Sequence, residues 1–419
     1  MNVRLLYLQK ESEKTNANIN RSEIFADLNL DIILKFMARN DDYIYRTART
    51  VITSPVADKE LILYRQEIIA DFVRNHDSMI ELYEMVKSII EENERFKEGS
   101  KRITSSNLSN FAMAQNNLGH LSILVNGFEK VKRFLDSIYL NFKSRGLITF
   151  YEHLCENYSN DFVNEIKASI NNMNFLAEGG EITISSCVGN GLKMDRIVIN
   201  HLGADKLKKK KVRSKISLLV DRFVHRKVIM LQNSKIKEDA RELESEGMAH
   251  VARLYTGFIQ ELSSFFDNLH FQLAFYVGAA NLKKRMAQLC LPHCWPKITD
   301  DDKEFNFNGL YDLSLGIYTR KTPVSNSLNT ENINLYIITG ANQGGKSTYL
   351  RSIGIAQLLM QSGLFVPASS YCNRIFDGIF SHFTRREDTA LNSGKLDEEL
   401  SRMNTILTEI TPNSLLLLN

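Results

Sequence analysis

Four residues in the last quarter of the chain have the types and the spacing of a phosphate-binding loop. Gly340, Gly345, Lys346 and Ser347 fill the pattern G-x-x-x-x-G-K-[ST]. Glycines let backbone N–H groups close around phosphate oxygens, while the lysine reaches the β- and γ-phosphates and the serine hydroxyl is an oxygen ligand for Mg²⁺. The spacing predicts binding of a nucleoside triphosphate, and the predicted binding residues are Gly340, Ala341, Asn342, Gln343, Gly344, Gly345, Lys346, Ser347 and Thr348.

The residues on either side of this loop predict the two elements that position it. Residues 333–338 form a short apolar, β-rich run, which predicts a buried strand leading into the loop. A helix is predicted to start at Ser347 and to stop at Gly363, because glycine is the usual residue just past a helix end. Strand, glycine loop and helix in this order are the context that the motif requires.

The composition of the chain and its pattern of apolar runs change near residue 296, which predicts two domains. No proline occurs between Pro55 and Pro292, and this span is rich in residues that favour helices. From residue 296 onward, short β-rich runs alternate with helical runs, as in an α/β domain. We therefore expect a multidomain α and α/β protein, with a helical domain over residues 1–295 and an α/β domain over residues 296–419.

One segment of the helical part predicts an unusually long helix. Apolar residues recur at spacings of three and four from Met248 to Tyr276, within a helical run of about residues 235–290. Such a helix would extend roughly 80 Å at 1.5 Å per residue, which suits a lever. The alternative is a helix broken at Gly247, Gly257 or Gly278 and folded into a bundle.

A small β element and a basic run precede this helix, and together they predict a reduced clamp over about residues 180–235. Asn190-Gly191 separates two runs of alternating apolar residues, which predicts a hairpin. The basic run is able to contact duplex phosphates, but it also fits a solvated loop tip, and both interpretations stay open. Its candidate phosphate contacts are Lys208, Lys209, Lys210, Lys211 and Arg213.

Composition and charge exclude several classes of protein. The formal net charge is only +3, so overall charge argues neither for nor against nucleic acid. Five cysteines without framework spacing suggest a reducing compartment. Neither a signal peptide nor an apolar run long enough for a membrane helix is recognisable, which predicts a cytoplasmic protein without a membrane partner.

The residues that occupy the loop resemble those of the MutS family of DNA mismatch-repair ATPases. That family typically carries T-G-P-N-M-G-G-K-S-T-Y-L-R, and this chain has T-G-A-N-Q-G-G-K-S-T-Y-L-R followed by G-L-F-V-P-A. Ala341 replaces the proline and Gln343 the methionine, while Asn342, which approaches the γ-phosphate in the family, is present. The resemblance is strong over residues 270–419 and weaker before them.

The resemblance implies a function class and a set of partners. It implies an ABC-class ATPase domain of which residues 296–419 are the first part, ATP and Mg²⁺ as cofactors, with Ser347 on the metal, and Glu399 at the position of a family glutamate. It also implies levers that grip double-stranded DNA under the control of ATP, and a homodimer in the full-length protein. Residues 414–418 fall on the family's Walker B strand.

Three departures from the family pattern put part of that function in doubt. Gly394 stands at the serine of the family's S-T-F signature, and Asn419 stands at the Walker B aspartate that helps to hold Mg²⁺. The sequence given stops there, before the catalytic glutamate, which predicts a truncated chain that hydrolyses ATP poorly. A match to the family's Phe-x-Glu mismatch wedge begins at Phe150, within a helical run that predicts core packing instead. We therefore expect a homologue without mismatch recognition.

Two rival functions and one metal-binding hypothesis also arise from the sequence. A nucleotide-dependent switch that acts on protein partners fits the missing hydrolytic groups. An SMC-type coiled-coil ATPase fits poorly, because that class places its phosphate loop ahead of the coil. Cys290, His293 and Cys294 suggest zinc, but no second ligand pair matches them.

Overall fold

A computed structural model of the chain shows two compact units, which are described separately. One unit contains residues 86–133 and 155–266, and the other contains the described residues up to 85 together with residues 134–154 and 267–419. The described residues are 3–7, 17–103, 110–158, 163–164, 166–168, 170, 182–188, 194–202, 234–300, 304–331, 333–384 and 395–419.

The first unit consists of portions of long helices and a β-hairpin. The helices that enter it are α5 (His76–Ile103), α6 (Asn110–Ile138) and α8 (Ser234–Gln288). Helices α5 and α6 approach closely, since a Cβ added to Gly127 would lie 2.7 Å from Cγ2 of Ile89. Strands β2 (Ile182–Val188) and β3 (Met194–Leu202) pair antiparallel, with Ser185 opposite Val198, so the predicted hairpin is confirmed.

The predicted long helix is confirmed as α8, which has 55 residues, and the alternative of a broken helix is wrong. Its three glycines do not interrupt it. Gly278 lies in the second unit, where an added Cβ would come within 2.9 Å of Cγ2 of Ile44. Glycine at this position therefore allows close helix packing rather than a bend.

The second unit contains the shorter helices and both larger sheets. Side-chain caps begin several of the helices; for example, Asp41 accepts from Tyr43 N at 2.8 Å and Asp58 accepts from Glu60 N at 2.8 Å. The helices of the N-terminal half are α1 (Arg21–Asp27), α2 (Leu30–Ala38), α3 (Asp42–Ile52), α4 (Lys59–Arg74) and α7 (Arg145–Asn157).

The sheets of the second unit are small, and one is parallel while the other is mixed in direction. A parallel sheet has the order β1-β8-β9, and a four-stranded sheet has the order β4-β7-β5-β6. Their strands are β1 (Asn18–Ile19), β4 (Lys297–Ile298), β5 (Glu304–Leu310), β6 (Asn326–Glu331), β7 (Ser370–Asn373), β8 (Gly378–His382) and β9 (Ser414–Leu418). The remaining helices are α9 (Leu313–Thr319), α10 (Lys346–Gln361) and α11 (Lys395–Glu409).

The order of these elements agrees with the expected combination of an α part and an α/β part. Strand β9 pairs in parallel with β8, with Ile379 opposite Leu415, so the strand predicted over residues 414–418 is confirmed. Strand β1, from the start of the chain, pairs with the other edge of β8. The domain boundary between residues 295 and 296 stays a prediction.

The strand predicted over residues 333–338 is wrong. These residues are not part of any strand, and the side chains of Leu335 and Ile337 are 76% and 80% exposed. An apolar run becomes a strand only where a neighbouring strand pairs with its backbone and a core covers one of its faces. In the described part of the second unit, no strand pairs with this segment. It leads into the glycine loop as exposed chain without regular secondary structure.

A helix that spans a membrane must be both long and apolar. Among the described helices, none combines the two properties.

Candidate nucleotide-binding site

The glycine loop is a tight, exposed turn that ends at the first residue of α10. Gly345 has a φ of 85°, in the left-handed region that glycine adopts without strain, and it is the N-cap of α10. Gly344 N donates to Ala341 O at 3.0 Å, and a Cβ on Gly344 would lie 2.9 Å from that oxygen. The sequence G-G-K therefore suits a turn that brings the backbone close to itself just before the helix.

Helix α10 presents its N-terminus to the loop and buries its far half in the protein. The first N–H groups of a helix have no partner within the helix, and they make its N-terminus favourable for anions. Gly354 packs against strand β9, because an added Cβ would lie 2.6 Å from Cδ1 of Leu417. The residues from Ser352 to Gln361 are buried, so the loop end of α10 is held against a fixed body.

Lys346 lies across the loop. Its Nζ donates to Gly340 O at 2.9 Å and to Ala341 O at 2.8 Å. The ammonium group therefore stays beside the turn instead of extending into solvent, although the residue is only half-buried. Phosphate oxygens entering the loop would compete with these two carbonyl groups for the same donor.

Ser347 contacts the last residue of the chain. Its Oγ donates to Oδ1 of Asn419 at 2.7 Å. Asn419 extends strand β9, since its N donates to His382 O at 3.0 Å and its O accepts from Thr384 N at 3.0 Å. The parallel pairing of β8 and β9 therefore places the Asn419 amide beside the glycine loop, 72 residues away in sequence.

These two oxygen atoms fit the needs of Mg²⁺, although they are weak ligands. The ion prefers oxygen ligands in octahedral geometry, and it usually retains water and phosphate ligands beside one or two protein groups. Ser347 supplies a hydroxyl and Asn419 an uncharged amide oxygen. Within the described ranges, no group of three or more His, Cys, Asp or Glu side chains is placed to hold a metal.

An ion pair that the sequence did not predict fixes α10 from the side. Arg351 NH1 donates to Oδ2 of Asp312 at 3.0 Å, and Arg351 Nε donates to Asp27 O at 3.2 Å. Asp312 is fully buried and is also the N-cap of α9. Asp27 accepts from Ser381 Oγ at 2.8 Å, and burial raises the pKa of its carboxyl group. No local pattern marks these residues, because each contact joins distant parts of the chain.

A buried amide network fixes the other end of α10. Gln361 Nε2 donates to Phe376 O at 2.8 Å and to Val56 O at 3.0 Å. Gln357 Oε1 accepts from Tyr371 OH and from Asn373 Nδ2, both at 2.9 Å. All these polar groups are satisfied inside the protein, so the network gives α10 one defined position.

The structure brings only part of the predicted site together. The loop residues Gly340 to Thr348 and Asn419 lie in one place, while Glu399 is half-buried on α11. Gly394 and the basic candidates lie outside the described residues, the latter being Lys208, Lys209, Lys210, Lys211 and Arg213.

Two further side chains that the sequence singled out have defined contacts within the protein. Phe150 is 8% exposed on α7, so its predicted core packing is confirmed. His293 Nδ1 is hydrogen-bonded to Leu291 O at 3.0 Å, and burial lowers the pKa of its imidazole. The Nδ1 atom of His293 therefore has a backbone partner.

Comparison with known families finds two matches in this chain. The MutS2 N-terminal domain family matches residues 57–289, and the MutS domain V family matches residues 336–419, which include the glycine loop and Asn419. The first of these matches covers more than half of the 419-residue chain.

Individual relatives agree with the family matches. The chain is 29% identical over 222 residues to a DNA mismatch repair protein MutS from Synechococcus elongatus, an alignment of 49% of this chain and 25% of the relative. It is 36% identical over 126 residues to a DNA mismatch repair protein MutS from Acetivibrio thermocellus (30% of this chain, 14% of the relative). It is 27% identical over 193 residues to MutS protein homolog 4 from Mus musculus (46% of this chain, 19% of the relative).

The aligned part of this chain thus spans about a quarter, at most, of the length of these curated relatives. The glycine loop, the domain V match around it and the helical match before it all point to one family. The chain belongs to the MutS family.

Proposed function

We propose that the chain binds ATP with Mg²⁺ at the loop of residues 340–348, as part of a P-loop ATPase domain of the MutS type. The observation that carries the proposal is the 2.7 Å hydrogen bond between Ser347 Oγ and Asn419 Oδ1. It joins the end of the glycine loop to the end of β9, so that two oxygen atoms able to coordinate Mg²⁺ lie close together beside the loop.

Each residue of the loop has a distinct role in this proposal. Backbone N–H groups of residues 341–346 surround the phosphates, and Lys346 transfers its hydrogen bonds from the two loop carbonyls to phosphate oxygens. Asn342 would approach the γ-phosphate, and Ser347 and Asn419 would hold the metal ion. When bound, Mg²⁺ supplies positive charge to the phosphate oxygens.

The second part of the proposal is that the chain acts on double-stranded DNA. Relatives named DNA mismatch repair proteins support it, as does the basic run Lys208–Lys211, which is suited to phosphate contacts. The 55-residue helix α8 serves as the lever whose position ATP controls, and the full-length protein works as a homodimer. Mismatch recognition is not part of the proposal, because Phe150 is a core residue.

The expected hydrolytic activity is low. Asn419 offers an uncharged oxygen where the family has a carboxylate, so the metal is held less tightly and in a less negative field. We therefore propose that nucleotide binding, rather than turnover, is the main event at this site in the chain.

Nucleotide affinity of the loop is tested with a fluorescent ATP analogue, measured with and without Mg²⁺. Lys346→Ala is expected to weaken binding at least tenfold, because it removes a charged hydrogen-bond donor worth about 1.5–3 kcal/mol. The matched control is Lys321→Ala, which removes an exposed lysine just ahead of β6. Equal affinity in the wild type and Lys346→Ala would sink the ATP proposal.

The alternative function is a nucleotide-dependent switch that acts on protein partners without DNA, and the uncharged Asn419 favours it. The two functions are separated by measuring duplex binding at several salt concentrations. Under the DNA proposal the logarithm of affinity falls linearly with the logarithm of salt, by about 0.9 for each phosphate contacted. Absence of any salt-dependent binding to linear, branched or mismatched duplexes would exclude the DNA proposal. The nucleotide-dependent switch that acts on protein partners would then remain.

A further inference from the structure

A cleft of the second unit that is separate from the glycine loop carries an excess of positive charge. It has a volume of about 810 Å³ and is lined by residues of α2, the turn after α2, α8 and α9. Its charged lining residues are Asp31, Lys35, Arg39, Lys284 and Arg285. Four cations and one carboxylate leave a net of three positive charges in one concave surface.

The single carboxylate neutralises only one of the cations. Asp31 Oδ2 lies 2.8 Å from Lys35 Nζ, one helical turn away. Lys284 Nζ lies 3.6 Å from Oδ1 of Asp77, whose side chain is 93% exposed, so this pair is strongly screened by water. The two arginines are left without a carboxylate partner among these lining groups.

Arg285 is fixed at the wall of the cleft. Its NH1 donates to Phe36 O at 2.7 Å, and its guanidinium carbon lies 3.8 Å from the centre of the Phe36 ring. Burial lowers the pKa of Arg285, and the positive charges of Arg39 and Arg320 lower it further. The Arg285 guanidinium is therefore repelled by two neighbouring arginines, Arg39 and Arg320.

Arg39 and Arg320 have no ion-pair partner in the described part of the chain. Arg39 follows the end of α2 with a φ of 50°, and Arg320 follows the end of α9 with a φ of 56°, a conformation that glycine or asparagine adopts more easily. The C-termini of α2 and α8 add partial negative charges of about half a unit each. These offset at most one of the three excess charges.

The geometry points to a second anion site in this cleft, one that binds a phosphate-bearing ligand through Arg39 and Arg285. A guanidinium group matches phosphate oxygens with two parallel hydrogen bonds. A single carboxylate would leave two of the three charges uncompensated, whereas a pyrophosphate group neutralises them. The cleft has the size of ordinary small-molecule sites, which are about 300–1,000 Å³, so the ligand class is a polyphosphate or the phosphate chain of a nucleotide.

Pyrophosphate is the probe, titrated calorimetrically into the full chain. The parent for the test is Lys346→Ala. This substitution is expected to weaken phosphate binding at the glycine loop, so that binding in the cleft is measured separately. This parent is expected to retain one pyrophosphate site, and adding Arg39→Gln is expected to weaken that site about tenfold, the effect of one charged hydrogen bond. Arg39→Lys keeps the positive charge but lacks the two parallel N–H donors of a guanidinium group, so it is expected to give an intermediate pyrophosphate affinity.

Matched controls keep the test decisive. Arg46→Gln, which removes an arginine 78% exposed on α3 that does not line the cleft, is expected to leave pyrophosphate affinity unchanged. Arg320→Gln gives a second variant, expected to weaken binding severalfold, in case Arg39→Gln lowers the unfolding temperature without ligand.

Three results would overturn the inference. These are no pyrophosphate binding by the Lys346→Ala parent, equal affinity in the parent and Arg39→Gln, and a loss confined to binding of a 20-base-pair duplex. The last result would assign the cleft to a nucleic-acid backbone instead of a small phosphate ligand. The outcome is independent of the ATP proposal, which depends on the difference between the wild type and Lys346→Ala.

Discussion

Replacing Asn419 by aspartate is the substitution that most sharply tests the metal-binding role of this position. A magnesium ion bound to Ser347 Oγ at about 2.1 Å would lie within roughly 5 Å of Asn419 Oδ1, because the two oxygen atoms are 2.7 Å apart. Asn419→Asp places a full negative charge there. Ser347 keeps its hydrogen bond, since a carboxylate oxygen accepts as well as an amide oxygen does.

The size of the effect follows from Coulomb's law. Asn419 is exposed, so the dielectric constant of water is the appropriate choice. One negative charge about 5 Å from a divalent cation then contributes about 1.7 kcal/mol. Since 1.4 kcal/mol is a factor of ten, the Mg²⁺ concentration needed for half-maximal ATP binding is expected to fall roughly 15-fold.

The assay is a Mg²⁺ titration at a fixed, subsaturating concentration of fluorescent ATP analogue. Asn329→Asp is the matched control, because it makes the same charge change at an exposed position of β6. It is expected to leave the Mg²⁺ dependence unchanged. An unaltered Mg²⁺ dependence in Asn419→Asp would refute the reasoning that Ser347 and Asn419 hold the metal together.

Three further predictions concern stability. Asp312→Ala leaves the Arg351 guanidinium without its buried partner, so the free energy of unfolding in denaturant should fall by about 3 kcal/mol; a change below about 1 kcal/mol would contradict a structural ion pair. Burial lowers the pKa of His120 below 6.5, so the folded state favours the neutral ring. The contribution of this ring to the free energy of unfolding is fully present above pH 6.5 and is lost as the pH falls from there toward the folded-state pKa. When unfolding is measured at several pH values, the free energy of unfolding should fall less with decreasing pH in His120→Gln. Gly354→Val should lower the unfolding temperature, since its first side-chain atom would lie 2.6 Å from Cδ1 of Leu417, whereas Gly99→Val, with open space around it, should not lower it through a clash.

The parts of the fold that depend on local sequence were predictable. The loop and its helix, the hairpin and the long helix α8 all follow from patterns within a few residues to a few turns. The spacing of Gly340, Gly345, Lys346 and Ser347 needed no knowledge of the rest of the chain. Strand β9 was predictable as well, because its apolar run is short and lies between polar residues.

The parts that depend on distant partners were not predictable. Residues 333–338 have the composition of a strand, but no described strand pairs with them. Conversely, Asn18 and Ile19 form a strand only because β8 lies beside them. The contact between Arg351 and Asp312 and that between Gln361 and Val56 join residues 39 and 305 positions apart. Such pairs leave no periodic signal in a single sequence.

The charged cleft shows the same limit from another side. Arg39, Arg285 and Arg320 stand in unrelated stretches of sequence, and each one alone suggests an ordinary surface residue. Only the packing of α9 against α2 and the end of α8 brings their charges together.

The most direct test of the central claim is hydrogen exchange of the backbone amides with and without ATP and Mg²⁺. If the loop is the nucleotide site, amides of residues 340–348 and those near Asn419 should exchange more slowly when the nucleotide is bound, because phosphate oxygens accept from the loop N–H groups. This protection should be absent in Lys346→Ala. Unchanged exchange over residues 340–348 in the wild type at saturating nucleotide would contradict the account.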